Sequence, residues 1–100
     1  MTFRDEDVPA VLAFARHQAK RMRAARRELD GALRRALVQG ARALTVDGVW
    51  WFAPREAARE LRRLARAIAF YDRAVATADQ FPDPDARAIM LSAVWFGRTN

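Results

Sequence analysis

Cysteine is absent from the 100 residues, which excludes disulfides, thiolate metal ligands and cysteine nucleophiles. Histidine occurs once, at His17, on the side of its helix opposite the apolar positions, where a solvent-exposed residue is expected. The hydroxyl nucleophiles are limited to Thr2, Thr45, Thr77, Ser92 and Thr99, and none sits in a glycine-rich elbow or beside a base in sequence. Gly31, Gly40, Gly48 and Gly97 are too scattered to form a phosphate-cradling loop. Glu56 with Glu60 and Asp83 with Asp85 are isolated acid pairs, read as a solvated face and a helix cap rather than a metal site. No catalytic residue, metal or cofactor is expected. No run of ~18 apolar residues is present, so no membrane span is expected. The acidic start, Met1 to Asp7, lacks the apolar core of a signal peptide, and a cytoplasmic setting fits.

What the chain has in quantity is alanine and arginine. Hydrophobic residues make up 52%, too many for a disordered chain. Much of that share is alanine, which buries little area, so the core is thin and self-association is expected. The net charge is +6, and Lys20 is the one lysine among the 18 basic residues. A GC-rich genome enriches arginine and alanine through codon usage alone, but that does not explain a local excess of base over acid. Residues 1–7 carry −2, residues 8–66 carry +9 and residues 67–100 carry −1. A positive centre of this kind attracts nucleic acid, anionic lipid or an acidic protein.

Apolar residues step by four and three from Val8 through Leu12, Ala15, Ala19 and Met22, then Leu29, Leu33, Ala36 and Gly40. This predicts an amphipathic helix over about 6–43 with acids at its N-terminus and Pro9 in its first turn. Asp30-Gly31 is a candidate break, but the phase carries across it and a continuous helix is expected. Arg26 falls inside the stripe and reads as a snorkelling side chain with a buried stem, able to pair with Asp30 four residues on. Residues 44–52 predict a β-hairpin with its tip at Asp47-Gly48, anchored by Trp50 or Trp51. A second helix is predicted over 54–79, with Pro54 first and a seam of Ala57, Leu61, Leu64, Ile68, Tyr71, Val75 and Ala78. A third is predicted over 84–96, with Asp83 as N-cap. The fold class expected is mainly α: one domain, an antiparallel helical hairpin with a small β-hairpin at the elbow and a short C-terminal helix. That last helix is apolar on both sides, Ile89, Met90, Ala93 and Phe96 against Leu91 and Trp95. A helical dimer is therefore expected, with Ile89, Leu91, Trp95 and Phe96 at its interface.

The basic residues fall into two stripes. Arg16, Lys20, Arg23, Arg27 and Arg34 share one arc of the first helix, and Arg55, Arg59, Arg62, Arg66 and Arg73 share one arc of the second, with Phe70 alongside. An ordinary solvated face mixes signs, whereas these stripes contain almost no acid. Guanidinium forks suit phosphate oxygens, and Phe70 beside them suits stacking on a base. The expectation is a non-catalytic nucleic-acid-binding protein, for DNA or RNA, of bacterial or phage type. The other partner class is an acidic protein docked by the basic face of an adaptor, inhibitor or scaffold subunit.

Overall fold

A computed structural model of the chain describes residues 2–51 and 53–97. Phe52, the expected end of the hairpin, and Thr99 lie outside them. A 3-10 turn over Asp5–Asp7 leads into α1, Val8–Gln39, and a short antiparallel sheet follows, β1 Leu44–Val46 with β2 Val49–Trp51. Then come α2, Pro54–Gln80, and α3, Pro84–Phe96. The molecule is mainly helical, and among the described residues no helix is long and apolar enough to cross a membrane.

α1 runs unbroken for 32 residues, through Asp30-Gly31. The predicted seam is the buried side: Val8, Leu12, Ala15, Ala19, Leu29, Leu33 and Ala36 are buried, and Met22 is half-buried. The helix ends four residues earlier than its periodicity implies. Gly40 adopts a left-handed φ of 67°. Its N–H donates to the Leu37 carbonyl at 3.3 Å and that of Ala41 donates to the Ala36 carbonyl at 2.9 Å, which together form a Schellman stop. Gly40 therefore closes the helix instead of extending the seam.

The contacts gather into two compact units, residues 21–68 and residues 1–20 with 69–100. In the first, Leu29, Ala32, Leu33 and Ala36 of α1 share a core with Ala57 and Leu64 of α2 and with Leu44. The hairpin rests on that core. Asp47 and Gly48 carry φ of 50° and 78°, as a type I′ turn requires. The register pairs Leu44 with Trp51 and Thr45 with Trp50, so buried Leu44 and half-buried Trp51 share the inner face. Trp51 is the anchor, and Trp50 is 60% exposed on the outer face.

In the second unit Val8, Leu12 and Ala15 pack with Ala74, Ala78, Ala88 and Leu91. Asp83 caps α3, accepting from the Ala86 N–H at 2.9 Å, and Arg87 Nε donates to the Phe81 carbonyl at 2.9 Å, tying α3 to the preceding turn. The two apolar sides of α3 have different fates. Leu91 is fully buried and belongs to the core of its own chain, so it is not on a surface that a second copy could touch. Trp95 is half-buried, within 6.1 Å of the ring centres of Phe3, Phe14, Phe70 and Tyr71. Ile89, Met90, Ala93 and Phe96 are exposed.

Gly31, inside α1, and Gly40, just past its end, should respond oppositely to alanine. A Cβ at Gly31 meets only Arg35 Nη1, at an ordinary 3.4 Å, within helical backbone. Gly31→Ala should raise unfolding stability by about 0.5–1 kcal/mol. Gly40→Ala forces a side chain into the left-handed region and should lower it by about 1 kcal/mol. Urea denaturation of both variants checks the pair.

Candidate nucleic-acid interface

The excess positive charge belongs to one unit. Residues 21–68 hold twelve arginines against five acids, +7, while the remaining residues hold six basic against seven acidic, −1. The seam explains where the arginines go. Alanine and leucine occupy the inward side of α1 and α2, so long charged side chains must leave at its edges, where their heads stay in water.

Within residues 21–68 these edges form an open groove of about 540 Å³. Arg23, Arg26, Arg27 and Arg34 of α1 and Arg62 of α2 line it, with Leu61 and Ala65 as its apolar part. Asp30 is the one acid in the lining, and its Oδ2 lies 3.1 Å from Arg34 Nε. All five arginines are exposed. Arg26, Arg27 and Arg62 have no side-chain partner among the described residues. Burying unpaired guanidiniums would be costly; holding them at a wet groove is not. The arrangement brings five guanidiniums to one groove, and Arg26, Arg27 and Arg62 can offer bidentate donors to an anion that follows it.

One expectation about Arg26 needs correction: it is exposed at the groove, but Asp30 pairs with Arg34 and not with Arg26. An acid N-terminal to a base at i,i+4 has the better helical orientation, which favours Asp30–Arg34 over Arg26–Asp30. The signal for Arg26 was present in the spacing, since positions 23, 26, 27, 30 and 34 make one strip along a helix.

The other expected residues scatter more widely than two stripes imply. Arg55, Arg59 and Arg66 are exposed. Arg59 and Arg66 border a separate depression with Trp51, Glu56, Glu60 and Arg63, where the charge is mixed. Arg16, Lys20 and Arg73 are exposed in the other unit. Phe70 is half-buried there, its ring 5.2 Å from both Tyr71 and Trp95, so it is an aromatic packing residue and not a stacking platform among arginines. His17 is exposed. Among the described residues no three histidine, aspartate or glutamate side chains stand together as a metal site.

Beside the mixed depression, Arg63 Nε donates to both Glu60 oxygens at 2.9 Å, and its Nη2 also donates to Oε1. These hydrogen bonds, opposed by desolvation and aided by the Arg63 charge, hold the Glu60 carboxyl below its ordinary pKa. The same bonds raise the Arg63 guanidinium. Arg63 is thereby neutralised.

The chain matches no protein-family model, no curated protein and no solved structure.

A carboxyl with a depressed folded-state pKa contributes stability above its unfolded pKa and loses it as pH falls through the folded value. The Glu60–Arg63 contribution should be complete above about pH 4.5 and fade below it. Glu60→Gln should remove that component, costing less than about 1 kcal/mol at neutral pH because the pair is near the surface. Urea midpoints of wild type and variant should converge as the pH is lowered from 7 to 3.

Proposed function

We propose that this chain is a non-catalytic nucleic-acid-binding protein whose arginine groove in residues 21–68 takes the phosphate backbone. The carrying observation is the convergence of Arg23, Arg26, Arg27, Arg34 and Arg62 on one groove whose only acid already has an arginine partner. Arg23 to Arg34 spans about 16 Å of helix axis, or nearly five nucleotide rises, which suits a chain of phosphates better than one compact anion. Among the described residues no aromatic side chain lines the groove for base stacking, so contacts go to phosphates and binding is indifferent to sequence. Such a protein works in the cytoplasm, where nucleic acid is.

In this proposal the helices form an antiparallel hairpin with the β-hairpin at its elbow. Early α1 shares a core with late α2, and late α1 with early α2, as that topology requires. In the same proposal two copies join through Ile89, Met90 and Phe96. They are exposed on a segment, Ala88 to Gly97, without a charged residue, where like-charged copies can approach. A dimer doubles the grooves available to one polymer and raises avidity.

Fluorescence anisotropy with labelled oligonucleotides across a salt series, with light scattering for mass, tests this. Binding should fall with a log–log salt slope of about −3 to −5, and the mass should be that of two copies. Arg26→Glu with Arg62→Glu should weaken binding at least tenfold and flatten the slope by about 2, with helix content unchanged. Arg16→Glu with Arg73→Glu alters net charge equally, outside the groove, and should do much less. Equal losses from both pairs would refute the groove. No binding to any nucleic acid at ~0.15 M salt, together with a stable acidic-protein complex, would establish the docking role instead.

A further inference from the structure

A surface made only to attract phosphates has no use for a carboxylate, yet the groove contains one. Asp30 stands between Arg27 and Arg34 along α1 and is the one hydrogen-bond-accepting side chain in the lining. Its side chain is 43% exposed, and the ion pair with Arg34 engages one oxygen. An ionised carboxylate has about four acceptor sites, so Asp30 can take a further donor from a ligand. An exposed ion pair on a helix surface adds little stability, so the pair with Arg34 alone is a weak reason for placing a negative charge among five arginines.

The two nucleic-acid backbones meet this carboxylate differently. A DNA backbone presents acceptors only, in its phosphate, ester and sugar-ring oxygens, so it repels Asp30 and offers it no donor. An RNA backbone adds a 2′-hydroxyl at every nucleotide, which can donate. Asp30 sits three residues from Arg27 and four from Arg34, about 4.5 and 6 Å along the axis. Both separations are comparable to the distance between neighbouring phosphates along one strand, so guanidiniums can hold phosphates on either side of a sugar facing Asp30.

From this order of positive, negative and positive groups we infer that the groove selects RNA over DNA, with the Asp30 carboxylate accepting a hydrogen bond from a ribose 2′-hydroxyl. The inference rests on the nucleic-acid reading above and deepens it. Asp30 is a specificity residue, and the arginines supply the attraction common to both polymers. The ion pair with Arg34 keeps the carboxylate in the groove, and a phosphate arriving at Arg34 leaves it free to turn toward the sugar.

The test uses the full chain and anisotropy with three duplexes of one sequence: RNA, DNA and 2′-O-methyl RNA, which keeps the A-form but lacks the donor. RNA should bind about tenfold more tightly than DNA, and the 2′-O-methyl duplex should fall to the DNA level. These comparisons need no variant, so they stand whatever a substitution does to folding. Asp30→Ala should weaken RNA several-fold, tighten DNA and erase the difference among the three. Asp30→Asn keeps an acceptor without the charge; it should leave RNA within about threefold of wild type and tighten DNA. A 2′-O-methyl duplex that binds as well as RNA, or an Asp30→Ala variant that tightens RNA and DNA alike, overturns the selectivity and leaves the groove as a general phosphate site. Failure of all three duplexes to bind overturns the nucleic-acid reading and this inference with it.

Discussion

The phase of α1, held over 32 residues, sets both the cores and the layout of charge in this molecule. One apolar stripe supplies the α1 side of both cores, through Val8, Leu12 and Ala15 in one and Leu29, Leu33 and Ala36 in the other. The same phase aligns Arg23, Arg26 and Arg27 with Arg34 across the Asp30-Gly31 dipeptide. A break at Gly31 would separate the arginines before it from the one after it. The glycine is tolerated because the turns on either side are fixed by packing, and tertiary burial outweighs one poor helix former.

A thin core has electrostatic consequences. Alanine at the seam, among them Ala32, Ala36 and Ala57, offers little side-chain bulk to cover neighbouring surface. Arginines at the edges of such a seam have little to bury against and keep their charged heads in water, so they can crowd without desolvation cost. What they pay is mutual repulsion, which solvent and salt screen only in part. A polyanion in the groove would relieve that repulsion and stabilise the folded chain through linkage, since the unfolded chain has no groove. Fold and proposed function are coupled in this way: the residues that make the core small are those that leave the arginines exposed.

Much of the architecture was legible because it depends on local chemistry. The Asp47-Gly48 turn, the Asp83 cap, Pro54 and Pro84 at helix starts and the seams of α1 and α2 are set by neighbours in sequence. The end of α1 was legible too, in Gly40, but a glycine at a seam position satisfies the periodicity as readily as it stops the helix. Side-chain placement was less accessible. Helical angles put Arg62 in the same arc as Arg55, Arg59 and Arg66, and only tertiary packing separates it from them by bringing it to the arginines of α1. Phe70 also lies beside an arginine arc, but its ring packs with Tyr71 and Trp95, a contact that needs α3 to be in place. The division of α3 into Leu91 inside and Ile89 outside follows the angular split in its sequence, while the choice of buried side depended on the partner helices.

In the proposed function the unit of residues 21–68 presents its charge at one groove, and a phosphate chain enters there. The most direct measurement is nuclear magnetic resonance of the arginine Nε–Hε groups, assigned residue by residue, during titration with a short oligonucleotide. Arg26, Arg27, Arg34 and Arg62 should shift together and saturate together, while Arg4, Arg16 and Arg87 stay in place. Shifts spread evenly over all the arginines, or centred on Arg16 and Arg73, would contradict it.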